Sequence, residues 1–101
     1  MATPLSMKAA RSAEGVVVLA VAGEIDLSNI DAFSEALDSA SSSRDGGLVA
    51  VDLSGVEYLD SGAISVLFAN AGQIHVIANP ILMPVLKISG LTDVASVESA
   101  G

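Results

Sequence analysis

Cysteine is absent from the sequence, which excludes disulfides, thiolate metal sites and thiol catalysis. Aromatic residues are scarce, at 3% of the chain: Phe33, Phe68 and Tyr58. The core must therefore be built from Val, Leu, Ile and Ala, and with 51% of the chain apolar there are enough of them. Basic residues are also few. Lys8, Arg11, Arg44 and Lys87 lie scattered along 101 residues, and the formal charge is −8. Nucleic-acid binding needs clustered Lys and Arg, so no nucleic-acid partner is expected. A protein or small-molecule partner is expected instead, and a protein would be basic where it touches. No basic-then-apolar leader opens the chain.

Charge is missing in one long stretch. Between Asp60 and Lys87 there is no Asp, Glu, Lys or Arg. Asn70, Gln73, His75, Asn79, Pro80 and Pro84 interrupt it, so no run of about 20 apolar residues survives to span a membrane. A helix–strand–helix packed on a core is the better account.

What is present reads as a single domain over residues 1–101, with a frayed polar tail at 98–101. Leu5, Met7 and Ala9 alternate with Ser6, Lys8 and Ala10, a half-buried strand. Ala13-Glu14-Gly15 turns the chain into a β-branched run, Val16 to Ala22, that Gly23 ends. Ser28 is placed as a helix N-cap with Asp31 as its acidic partner, and Ile30, Phe33, Leu37 and Ala40 follow at helical spacing. Ser41-Ser42-Ser43 and Asp45-Gly46-Gly47 are read as a loop. Leu48 to Leu53 is a third strand, apolar on both faces except at Asp52, as in the middle of a covered sheet. A second helix starts near Ser61 and stops at Gly72. Gln73 to Ala78 is a fourth strand. Asn79-Pro80 opens a third helix, which Pro84 should delay or kink and Gly90 should close. Val94 to Val97 adds a short last strand. Strands alternating with helices after an opening hairpin imply an α/β (α+β) fold: a mixed sheet of four to five strands with about three helices.

Three blocks fall in order: GEIDLSNIDAFSEAL (Gly23 to Leu37), VDLSGVEYLDSGAISVL (Val51 to Leu67) and NPILMPVLKISGLTDV (Asn79 to Val94). Together they resemble the STAS domain, and within it the small bacterial anti-sigma-factor antagonists. The resemblance implies a STAS-like fold. It makes Ser61 the phosphate acceptor and Asp26 an acidic position on the loop beside it; Asp26, Ser28, Asp60, Gly62 and Ala63 are expected as the partner-contacting set. It implies an anti-sigma factor that is also a serine kinase as partner, a phosphatase that resets the switch, and a cytoplasmic location. The chain departs from the family in three ways. Ser61 is followed by Gly62-Ala63-Ile64 rather than a second serine, the helix after it is about two turns short and lacks the family's basic residues, and Pro84 falls inside the third helix; the family's final helix is also expected to be missing. The uncharged surface over 61–86 is then expected to face a second copy or a bound protein. The alternative reading is a non-enzymatic STAS subunit of a transporter ATPase or other multiprotein complex, docked through that surface.

No enzymatic activity, cofactor or metal is expected. A Ser61–His75–Asp triad lacks the Gly-x-Ser-x-Gly elbow, and no Gly-rich loop with a lysine is present to cradle a nucleotide. Asp52 is assigned a local hydrogen bond at a strand end, and His75 a place on a sheet face.

Overall fold

The structure is a computed structural model, described here for residues 4–43 and 46–101. Asp45, part of the expected loop, lies outside the described residues. Five strands form one sheet in the order β1-β2-β3-β4-β5. β1 (Ser6–Arg11) runs antiparallel to β2 (Val17–Ile25), and β3 (Val49–Leu59), β4 (Ile74–Ala78) and β5 (Ser96–Ser99) follow parallel to β2. The helices are α1 (Ile30–Ser43), α2 (Ser61–Ala69), α3 (Met83–Ile88) and α4 (Leu91–Val94), with 3₁₀ turns at Ala71–Gln73 and Pro80–Leu82. Four α-helices stand where about three were expected. Pro84 sits in the first turn of α3, so Pro80–Leu82 forms a separate 3₁₀ turn and the α-helix starts only at Met83. α4 then follows Gly90.

Sequential strand order puts all crossovers on the same side, so the helices cover one face of the sheet. Val17, Leu19, Val21 and Ile25 of β2, Val49, Val51 and Leu53 of β3, and Ile74, Val76 and Ala78 of β4 point into that layer. Phe33 and Leu37 of α1, Leu67 of α2, Leu86 of α3 and Leu91 of α4 close it. The expectation that β3 is covered on both faces is corrected. Ala50 and Asp52 are only half-buried, on the side that carries no helix. A row across that open face reads Lys8, Ala20, Asp52, Ile77, Glu98.

Four element ends also move, those of β2, β3, α1 and β5. β2 and β3 run on past Ala22 and Leu53 to Ile25 and Leu59. The extension escaped the period-2 pattern because β3 carries two one-residue register shifts against β2. Ala20–Ala22 of β2 spans Asp52–Gly55, and Gly23–Glu24 spans Val56–Tyr58. Each extra residue lengthens the spacing of buried positions from two to three, giving Leu53, Val56 and Leu59. Secondly, the serine tract 41–43 ends α1 rather than forming a loop, and Ser43 Oγ donates to the Ser39 carbonyl at 3.0 Å, one turn back. Thirdly, the tail expected to fray pairs instead. β5 continues to Ser99, and Ala100 N–H donates to the Ala78 carbonyl at 2.8 Å.

The extension positions the site. β4 reaches β3 only as far as Leu53, opposite Ala78, and β1 reaches β2 as far as Ala22. Beyond those levels β2 and β3 continue as a ladder to Ile25 and Leu59, and they deliver two loops to the same end of the sheet.

Candidate functional site

Ser61 opens α2, immediately after β3, and is exposed. Its cap is Asp60, in extended backbone, whose Oδ1 accepts from Ala63 N–H at 3.0 Å. The Asp60 carbonyl accepts from Ile64 N–H at 3.2 Å, so the helix is fully started without using the serine side chain. Among the described residues the Ser61 hydroxyl has no hydrogen-bond partner. Gly62 is half-buried beneath it, and a Cβ there would lie 3.3 Å from Asp60 Oδ1.

The second loop is a tied turn. Asp26 Oδ1 accepts from Ser28 N–H at 2.9 Å and from Ser28 Oγ at 2.5 Å. Asp26 N–H donates to Asn29 Oδ1 at 2.9 Å, and Asn29 Nδ2 donates to the Glu24 carbonyl at 2.9 Å. The two hydrogen bonds from Ser28, hydroxyl first and backbone second, hold the Asp26 carboxyl below its ordinary range, and partial burial opposes them only weakly. The loops are joined by Asp60 N–H donating to the Ile25 carbonyl at 3.2 Å, with Leu59 in register with Ile25. Asp26 and Ser61 thus follow neighbouring strand ends.

Asp26, Ser28, Asp60, Gly62 and Ser61 are brought to one tip, with two corrections. Ala63 is fully buried in the core, so its side chain has no partner to touch. Ser28 is not an N-cap, because its hydroxyl goes to Asp26, and Asn29 supplies the carbonyl that Phe33 N–H meets at 3.1 Å. A Ser61–His75 pair does not form. His75 lies on the open sheet face, with Nδ1 2.6 Å from Ser96 Oγ and Nε2 2.8 Å from Glu98 Oε1. Asp52 makes the local bond expected of it, accepting from Ser54 N–H at 3.0 Å.

Sequence reasoning missed Leu27 and Asn29. Leu27 is 85% exposed at the crest of the tied turn. It precedes Ile30 by three, so it blends into the apolar period of α1, and only the Asp-x-Ser-Asn turn around it marks it as outside the helix. The chemistry available at this end of the sheet is an exposed hydroxyl at a helix start, with the carboxylates of Asp26 and Asp60 on the two adjoining loops. It suits modification and protein contact.

With that geometry in hand, a family model described as "Mlab, STAS domain" matches residues 9–93, and the chain belongs to the STAS domain family. None of the curated proteins matches. Solved structures do. An anti-sigma factor antagonist from Mycobacterium paratuberculosis superposes with a TM-score of 0.82 at 24% identity, over 93% of this chain and 85% of that one. The anti-sigma factor antagonist SpoIIAA in its unphosphorylated form gives 0.71 at 14%, over 95% and 89%. The Bacillus cell fate determinant SpoIIAA in the phosphorylated form gives 0.65 at 14%, over 95% and 92%. These likenesses establish a SpoIIAA-like fold. Among the described residues no helix is long and apolar enough to cross a membrane.

Proposed function

We propose that this chain is a non-enzymatic protein-binding module of the cytoplasm, an antagonist that binds an anti-sigma factor with serine kinase activity while Ser61 is unmodified. The kinase phosphorylates Ser61 and releases it, and a phosphatase resets it. The observation that carries this reading is the exposed, unbonded hydroxyl of Ser61 at the head of α2. A phosphate there adds a charge of about −1.5 to −2. The helix start accepts that charge, so the fold survives. The docked protein does not, because the dianion lies among Asp26 and Asp60 in a contact shaped for a neutral hydroxyl. An unpaired charge buried at an interface costs several kcal/mol. A full switch needs roughly 5.5 kcal/mol of differential affinity.

The test is calorimetric titration of a purified anti-sigma serine kinase with wild type, Ser61→Ala and the phosphorylated chain, alongside intact-mass analysis after incubation with ATP. Ser61→Ala is expected to bind within about threefold of wild type and to take up no phosphate, while the phosphorylated chain binds at least about 100-fold more weakly. Equal phosphate uptake by Ser61→Ala sinks the reading.

A second reading has its own observation. Ile81 of the 3₁₀ turn and Val85 and Ile88 of α3 are all exposed apolar residues, with Ile88 at 88%. Exposed apolar residues in this segment suit a STAS subunit held permanently on a transporter ATPase or other complex. That reading requires Ile88→Ser to abolish binding and phosphate on Ser61 to leave it unchanged.

A further inference from the structure

We infer that Leu27 is the apolar anchor of the Ser61 docking face, and that its receptor is a protein surface with an apolar socket rimmed by Lys or Arg. The inference rests on the gated-module reading above.

A large apolar side chain turned to water is usually incidental. Leu27 differs in how it is held. The turn that carries it is closed by the bonds from Ser28 to Asp26 and by the Asn29 side chain, which grips both the Asp26 N–H and the Glu24 carbonyl. Asn29 N–H adds a bond to the Asp26 carbonyl at 3.1 Å. The backbone on both sides of Leu27 is therefore fixed before any partner arrives. An anchor ordered in advance loses little conformational entropy on docking, which is the condition for a tight contact from a small area. A turn built only to join β2 to α1 needs no leucine at its crest.

Position supplies the second argument. Leu27 follows the end of β2 and Ser61 the adjacent end of β3, and the two loops are tied where Asp60 N–H is bonded to the Ile25 carbonyl. A protein that covers the hydroxyl meets the leucine as well. Charge supplies the third. Glu24 near the end of β2, Asp26 and Asp60 on the two loops and Asp31 in the first turn of α1 are the acids nearest Leu27 along these elements, and the sequence has no Lys or Arg from 12 to 43 or from 45 to 86. The complement of this tip is a socket with basic edges. A second copy of the chain presents the same acids and is the wrong occupant.

The experiment titrates the purified anti-sigma serine kinase with wild type, Leu27→Ser, Leu27→Met and Ile88→Ser, at two salt concentrations. Ile88 is the control, since it is equally exposed but sits at the far end of α3. Leu27→Ser is expected to weaken binding about tenfold or more, as for a central anchor, with Leu27→Met close to wild type and Ile88→Ser within about twofold. Affinity should fall as salt rises. Circular dichroism melts of all four should agree, because both side chains lie outside the core. Wild-type affinity in Leu27→Ser overturns the anchor while leaving the kinase reading standing. A chain that binds no such kinase overturns both. Sedimentation of the chain alone that reveals a dimer lost in Leu27→Ser overturns the stated occupant.

Discussion

The backbone N–H of Asp60 donates to the carbonyl of Ile25 across 3.2 Å, and this one bond joins the loop that carries Leu27 to the helix that starts at Ser61. Neither residue contributes its side chain to the link. The site is therefore held by backbone pairing that continues the β2–β3 register to Ile25 and Leu59, and the side chains of Asp26 and Asp60 are left to close their own turns. A scaffold of this kind can change charge at its tip without changing shape, as the gating proposal requires.

Asp60 has two duties, and they separate by mutation. Asp60→Ala removes the acceptor of Ala63 N–H and should lower stability by about 1 kcal/mol, the usual worth of an N-cap. In a domain of this size that moves the melting midpoint down by roughly 4 °C or more. Asp60→Asn keeps a cap oxygen and should lose much less. Thermal melts of the two variants check this, and equal destabilisation of both would mean that charge, not capping, is what Asp60 supplies.

Gly55 is the close-approach residue of the first register shift. A Cβ there would sit 2.9 Å from the Ala22 side chain and 3.3 Å from its Cα. The neighbour is strand backbone in the middle of the β2–β3 ladder, so it cannot move aside without breaking pairing. Gly55→Ala should cost about 1–3 kcal/mol, as overpacking does, and Gly55→Val more. Chemical denaturation measures this, and an unchanged midpoint for Gly55→Ala would show that the ladder yields.

Much of this was legible in the sequence, for physical reasons that differ by element. α1 reads clearly because Ile30, Phe33, Leu37 and Ala40 keep helical spacing above a one-sided core. β4 reads clearly because Ile74, Val76 and Ala78 alternate without interruption. The upper half of β3 does not read as a strand, because its two register shifts replace alternation with a period of three. The tip was half visible. Ser61 and Asp60 stand at a strand-to-helix change that composition marks. Ser28 and Asn29 are both good cap residues, and the bonds their side chains make within the turn, Ser28 to Asp26 and Asn29 to Asp26 and Glu24, decide between them. Ala63 shows the converse failure, since a small residue next to a site reads as accessible when the helix turns it into the core.

Ser41 offers a gain in stability. Its hydroxyl is buried without a hydrogen-bond partner, inside α1. Ser41→Ala removes that desolvated group and also substitutes a better helix former. Together these should stabilise the chain by about 1 kcal/mol. The melting midpoint should therefore rise relative to wild type in a thermal melt. A fall in the midpoint would reveal a bond that the hydroxyl makes in solution.

The Asp26 turn predicts a pH dependence with a definite sign. The carboxyl is held below its ordinary value of 3.8, chiefly by the Ser28 hydroxyl and next by the Ser28 backbone N–H. A carboxyl depressed in the folded state binds its proton more weakly there than in the unfolded chain. Its stabilising contribution is thus complete above the unfolded value, and it is lost as the pH falls through the folded one. The turn should then be intact at neutral pH and should open only in acid, below 3.8. Carboxyl-carbon NMR titration should place the Asp26 midpoint under that value, and Ser28→Ala should raise it by deleting the larger cause, while the remaining backbone bond keeps it from recovering fully. If the midpoint does not move in Ser28→Ala, the hydroxyl does not tie the turn, and the rigidity claimed for Leu27 loses its main support.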